Sequence, residues 1–468
     1  ISCGEINIMT PLYKRVNPIF FQFLLVAGGL WFFHCIAAFI IERYNIPIHI
    51  SSETIPIYKR LNINFNNWIL LPIGAFGIYL FLVRSILQSE HPIPLPVLLA
   101  LFIGLKVLID VSVTMINGAF LPLGIKEYIN DVPNFSRLGD ILRNYASKAK
   151  MLTRHAGTHP PGAVMTLWLA TRLFAFNNMV KAYLIIFSAP FTLIPLYLVA
   201  QQLYGRKIAT YALALYLVTP NIVMYTATCM DAFFSLFLIF SVYLIFYSIE
   251  RKSTILAVFT GLSLSLSMFM TFATTFLGVY FISLTTVTYF GNRKELKSHV
   301  TVLTISGGTF CLTYLIMYWV TGYNILTNLQ AAMEVDRSGI GTGYESPIRY
   351  FLVSGTNLFG FFSMIGITTT TLWLRELGSV IQNLLTKKKF SIFLVAYVLT
   401  LVPMIFSTLY LTETERIWLF MAPFVLIPAA KNLKEYVNKR QSNWVLYVVI
   451  IMLCVQTLVF EVFIDTIW

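Results

Sequence analysis

The residues equipped for chemistry gather in one polar stretch, which reads KEYINDVPNFSRLGDILRNYASKAKMLTRHAGTHPPG from Lys126 to Gly162. It carries Glu127, Asp131, Asp140, His155 and His159, and it is the longest piece of the chain too polar to lie in hydrocarbon. A carboxylate held just outside a bilayer can act as general base, taking the proton of a hydroxyl as that oxygen attacks an activated carbon. Asp131 is placed ahead of Glu127 for this role; the plainer reading of either is an interfacial charge. His159-Pro160-Pro161-Gly162 closes the stretch. Two prolines remove two backbone donors and fix φ, so the chain must turn, and Pro161 can start a helix. At that helix start His159 could donate to an anionic phosphate, helped by the positive end of the dipole. Otherwise it satisfies a loop carbonyl.

Three further places could contribute. Asp231 heads an apolar run shortly after Thr219-Pro220 and is either a helix cap or a second carboxylate at the site. In TETERIWLF, Arg416 can grip a phosphate through two parallel N–H donors, with Glu415 orienting it. The stretch 322–349 carries Arg337 together with Gly339, Gly341 and Gly343, and spaced glycines predict a flexible flap. Lys106 and Asp110, four apart inside an apolar run, share a helix face and are read as a neutralising pair.

These groups must be carried by apolar elements. The chain has 468 residues, 57% of them hydrophobic and only 11% charged, where a soluble domain has about 25% charged. Spans are expected at about 17–41, 68–87, 95–117, 182–203, 208–226, 232–249, 255–271, 273–289, 300–321, 350–371, 391–411, 416–430 and 444–464. The chain is therefore an all-α polytopic membrane protein of about 13 transmembrane helices. The first run is long enough to span and is read as a helix rather than a cleavable leader. The stretch 255–289 is too long for one helix, and its middle, Phe269 to Phe272, predicts a pair of short ones. The formal net charge of +13 sits in short loops between apolar runs, so it reports topology, and no nucleic-acid partner is expected. The five cysteines form no CxxC pair, and no GxGxxG fingerprint follows a strand. No metal site is assigned; a divalent cation is the one cofactor left open.

Basic loops fix the orientation. Arg251-Lys252, Arg293 to Lys297, Lys387 to Lys389 and Lys431 to Arg440 belong in the cytoplasm. The segments 118–181, 219–231, 322–349 and 412–416 then fall outside. The bookkeeping closes only if 163–178, which holds Arg172, lies along the outer interface without crossing.

With these parts in order, the chain resembles the GT-C superfamily, membrane glycosyltransferases such as the protein O-mannosyltransferases and the lipid A aminoarabinose transferases. The resemblance covers roughly 95–425. A span leads to an outer loop with early carboxylates, here Glu127 and Asp131. The His159-Pro160-Pro161 box opens an interfacial helix, a Pro220-to-Asp231 stretch follows, and a late flexible outer loop comes after. Two extra N-terminal helices in 1–94 precede the matching region and depart from the family pattern; a GT-C-like core is expected in 95–430, and a cytoplasmic loop with a last helix in 431–468. The resemblance implies transfer of a sugar from a polyprenyl-phosphate carrier to a glycan, lipid or protein acceptor, with inversion and a loop carboxylate as base. Asp131 and Glu127 match the catalytic position; His155, His159, Asp231, Arg337, Glu415 and Arg416 are the candidates for binding substrate. The expected setting is a bacterial plasma membrane, among membrane lipids, with the site facing outward. The competing readings are a non-catalytic accessory subunit derived from such an enzyme, or a transporter of a lipid-linked substrate.

Overall fold

The structure is a computed structural model that describes residues 18–46, 55, 57–88, 93–117, 128–174, 179–226, 229–340, 346–407 and 413–464. Among these residues the regular structure is helical, apart from an isolated antiparallel bridge between Leu61 and Ile464. Among the described residues, eight helices are long and apolar enough to cross a membrane, or ten if each of two bent pairs counts as one span.

The described residues therefore do not confirm the expected count of 13. Thr254–Met270 and Ile392–Phe406 are short apolar helices, and the threonine-bearing Thr274–Gly291 is not among the candidates. The stretch 208–226 is broken into Arg206–Val218 and Pro220–Thr226 with a bend of 57°. Proline cannot continue the hydrogen-bond ladder of the preceding turn, so the break falls at Pro220. The stretch 350–371 is not one straight helix. The chain turns by 109° between Pro347–Met364 and Ile367–Leu385. Gly366 takes φ +99° there, and a Cβ at that position would meet Leu453 Cδ2 at 2.2 Å, so only glycine fits the corner.

Arg206–Val218 and Ala422–Arg440 run through the middle of the bundle, with every residue from Ala209 to Val218 and from Ala422 to Ala430 buried. Around them, Met230–Arg251 packs on Thr254–Met270 through hydroxyls: Ser241 meets Ser263 at 2.7 Å and Ser267 at 2.9 Å, and Ser248 meets Thr260 at 2.8 Å. Small hydroxyl residues let helix backbones approach closely in lipid, where leucine against leucine gains little over leucine against an acyl chain. The stretch 255–289 breaks at Thr271–Ala273 into two helices, as its length requires.

One end of the bundle carries a cap. Leu138–Lys148 buries Ile141 and Tyr145, four apart on one face. Tyr145 stacks on Phe135 and donates to the Ala156 carbonyl at 2.9 Å, while Trp168 Nε1 donates to the Phe135 carbonyl at 3.0 Å. The apolar piece after the proline box forms a helix over Gly162–Phe174 of 13 residues. At 1.5 Å per residue it is about 20 Å long, short of a hydrocarbon core of about 30 Å. Its first residue must be small, because a Cβ on Gly162 would sit 2.3 Å from the Phe269 carbonyl oxygen. The segment expected as a flexible loop, 322–349, is instead mostly a helix, Ile325–Ile340. It packs across Leu138–Lys148 and Arg154–Gly157, roofing the polar stretch. Gly339 lies inside that helix, while Gly341 and Gly343 lie outside the described residues.

Candidate active site

Beneath the roof lies a cavity of about 240 Å³, walled by Arg154, His155, His159, Asp336, Glu413 and Arg416, with Phe272, Phe276 and Ile417 supplying apolar surface. Four separate parts of the chain build it. The turn Arg154–Gly157 and the proline box give the first three polar side chains, and Thr271–Phe276 gives a helix break. The roof helix gives Leu329, Ala332, Met333 and Asp336, spaced along one helical face. The one-turn helix Thr414–Ile417 gives Arg416.

Arg416 is the electrostatic centre. Its Nη1 lies 2.8 Å from Asp231 Oδ2, and its Nη2 donates to Glu413. Glu413 takes φ +60°, a left-handed conformation in which a non-glycine residue is uncommon. Arg416 is thus held by Asp231 and by Glu413, the latter on the same helical turn. Glu415 is fully buried on the other side, where Arg60 meets it at 3.1 Å.

His159 lies between Phe234, stacked at 5.8 Å, and Tyr128, edge-on at 5.7 Å. Its Nδ1 lies 2.9 Å from the His155 carbonyl oxygen. A carbonyl only accepts, so Nδ1 carries the proton and, in the neutral ring, Nε2 is an acceptor. Burial lowers the pKa of His159 to about 4; Asp231 opposes the shift, while His155 and Arg416 add to it. A neutral ring with an acceptor Nε2 does not suit the expected donation to a phosphate.

Asp131 is buried in the 3-10 turn Ile129–Asn134, and it does not line the cavity. Its Oδ1 accepts from the Thr153 N–H at 2.9 Å and its Oδ2 from the Thr153 hydroxyl at 2.5 Å. A hydrogen bond to a charged group is worth about 1.5–3 kcal/mol, so Asp131 pins the residue that precedes Arg154 and His155. Burial raises its pKa against the pull of those two bonds. Glu127 lies outside the described residues. Arg337 is exposed on the roof helix and faces away from the lining; its neighbour Asp336 faces in. Burial raises the pKa of Asp336, opposed by Arg154 at 3.8 Å.

The structure therefore brings His155, His159, Asp231 and Arg416 to one place and leaves Asp131, Glu415 and Arg337 off the wall. Sequence reasoning missed Arg154, Asp336 and Glu413 as site residues. Glu413 was within reach of it, since it stands three residues before Arg416 on a helical start. For a divalent cation the fit is poor among the described residues: no three histidine, cysteine or acidic side chains converge. Asp231 and Glu413 are already bridged by the Arg416 guanidinium.

Residues 158–319 match the family model described as dolichyl-phosphate-mannose-protein mannosyltransferase. No curated protein matches the chain. Among solved structures, the oligosaccharyltransferase of Archaeoglobus fulgidus in complex with zinc and sulfate is similar at 12% identity and a TM-score of 0.51, over 78% of this chain and 53% of that one. The oligosaccharyltransferase AglB of the same organism, with an inhibitory peptide and a dolichol-phosphate, is similar at 11% identity and a TM-score of 0.50, over 78% of this chain and 55% of that one. The chain spans about half the length of the solved structures it matches. The family model covers 158–319 only, and at this identity the solved structures share the fold with the chain.

Proposed function

We propose that the protein transfers a sugar from a polyprenyl-phosphate carrier to a hydroxyl or amide acceptor on the extracytoplasmic side of a membrane, with inversion at the sugar carbon. The observation that carries this reading is the cavity at the capped end of the bundle, where a buried arginine, two histidines and two acids meet beside apolar spans. The donor phosphate must sit where its apolar tail can remain in lipid. It would exchange places with Glu413 on the fork of Arg416, and Arg154 would supply the second cation at the mouth. The dolichol-phosphate bound in the archaeal neighbour supports a carrier of this class.

In the reaction the acceptor oxygen or nitrogen forms a bond to the anomeric carbon from the face opposite the phosphate. The bond from that carbon to the phosphate oxygen breaks, and the polyprenyl phosphate leaves as an anion. The acceptor proton passes to a carboxylate. Two cap residues fit that last role differently. Burial raises the pKa of both, but Asp131 would have to release Thr153 before it could act, whereas Asp336 faces the cavity. The geometry favours Asp336, with Asp131 as the residue that positions the Arg154–His159 turn.

A transporter needs a polar route through the spans. The buried charges Lys106 and Asp110 instead close on each other, and Lys106 Nζ also lies 3.3 Å from both the Ile222 carbonyl and the Thr226 hydroxyl. The test is incubation of the purified chain with a panel of polyprenyl-phosphate sugars. Release of polyprenyl phosphate from at least one is expected; a panel left intact, with the same lipids translocated across liposomes, overturns the reading in favour of transport.

A further inference from the structure

Glu415 and Arg416 are neighbours on one helical turn, so successive side chains leave it about 100° apart. Arg416 faces Asp231 and the cavity; Glu415 faces away, with its carboxylate 0% exposed. The cation that meets it comes from a distant part of the chain. Arg60 Nη1 lies 3.1 Å from Glu415 Oε1, and the Arg60 side chain is itself only 4% exposed.

Arg60 ends a short turn, Ile57–Arg60, outside the stretch that carries the family match. The residues after it are fixed from two sides. The Asn62 N–H donates to the Phe463 carbonyl at 3.1 Å and the Asn64 N–H to the Val462 carbonyl at 2.8 Å. The Asn64 and Asn66 side-chain amides donate to the Ile116 carbonyl at 2.9 and 2.8 Å. Arg60 thus projects from a rigid base tied to the ends of two spans. The turn it holds is also held elsewhere: Asn221 donates to the Glu415 carbonyl at 3.1 Å, and the Thr414 hydroxyl donates to the Asn357 carbonyl at 2.8 Å. Backbone contacts of this kind fix where the turn sits. A charged contact to a side chain directed away from the cavity also fixes how the turn is rotated.

We propose that Arg60 is a positioning residue for the cavity. By holding Glu415 it sets the rotation of the Thr414–Ile417 turn, and so directs Arg416 and Glu413 at the donor phosphate. The N-terminal segment is then part of the functional site. The inference rests on the transferase reading for its kinetic arm only.

Arg60→Met and Arg60→Lys are assayed in the purified full chain for donor KM and kcat, for thermal unfolding, and for backbone hydrogen exchange across 413–421. Arg60→Met is expected to raise donor KM about tenfold or more, with kcat changed less and with faster exchange at 413–417 while the spans keep their protection. Arg60→Lys, which keeps the charge, is expected to stay within about threefold of wild type. Removing one member of a buried pair can unfold the protein. The double variant Arg60→Met/Glu415→Met leaves no unpaired charge and is expected to fold, yet still show the raised KM and the faster exchange. Wild-type KM and exchange in the double variant overturn the proposal, as does a uniform loss of stability with unchanged KM in Arg60→Met. If wild type consumes no donor, the transferase reading fails by itself and the exchange at 413–417 decides the role of Arg60.

Discussion

Asp231 and Arg416 stand 185 residues apart in the chain, yet Oδ2 of the first lies 2.8 Å from Nη1 of the second. Both side chains are at least nine-tenths buried, and Glu413 completes the group from the other side of the guanidinium. Two carboxylates occupy the two ends of one guanidinium fork. In the proposed reaction, donor binding involves an exchange of partners there.

Because Lys presents a point charge without a fork, Arg416→Lys is expected to raise the donor KM by about tenfold to a hundredfold. Arg416→Ala is the poorer probe, since it strands two buried carboxylates at a cost of about 3–5 kcal/mol. Arg337→Lys, exposed and off the cavity wall, should leave KM within about twofold. Initial rates against donor concentration separate these; an unchanged KM in a folded Arg416→Lys protein removes Arg416 from the donor site.

For the base, Asp336→Asn is expected to lower kcat by about 10² to 10⁴ while the protein keeps its unfolding temperature. Asp131→Asn should lower the unfolding temperature, because the Thr153 N–H and hydroxyl then lose a charged acceptor. The two variants are compared by single-turnover rate and by thermal unfolding. A full loss of turnover in Asp131→Asn at wild-type stability would return the role of base to Asp131, and the same result in Glu127→Gln would move it four residues upstream.

The membrane class and the proline-opened short helix were legible because they follow from apolar run length and proline geometry. The contacts that choose among acids were not. Asp131 looked like the base because it was the acid in the right loop; only the fold shows both its oxygens on Thr153. Arg337 is the residue named from 322–349, a glycine-spaced stretch read as a loop, and a loop has no face. Once Ile325–Ile340 is a helix, Leu329, Ala332 and Asp336 share one side and Arg337 turns away. The sequence names Glu415 as the residue that orients Arg416, whereas on a helix residues three apart face each other and adjacent ones do not.

His159 gives a pH signature. Its folded pKa, about 4, lies below the ordinary value of 6.5. The folded state therefore binds fewer protons than the unfolded chain between those values. Its contribution to stability is complete above pH 6.5 and is lost as pH falls toward 4. Thermal unfolding followed from pH 7.5 to 4.5 should show a decline that is smaller in His159→Gln. Equal slopes in the two proteins would mean that His159 is not the group responsible.

The last prediction concerns the side of the membrane on which the cap lies. Lys387 to Lys389 form an exposed basic run beyond Ile367–Leu385, and such runs are retained in the cytoplasm. The short helix Gly162–Phe174 begins at the cavity and is too brief to carry the chain across, so both of its ends should share the side of the roof helix. Leu173, 78% exposed near the far end of that short helix, is the probe. In a background without the native cysteines, Leu173→Cys and Ser338→Cys should both react with a membrane-impermeant maleimide in intact cells. Lys388→Cys should react only after permeabilisation. Ser338→Cys reacting from outside while Leu173→Cys does not would mean that 163–178 crosses after all, and the loop-charge parity would then have to be closed elsewhere in the chain.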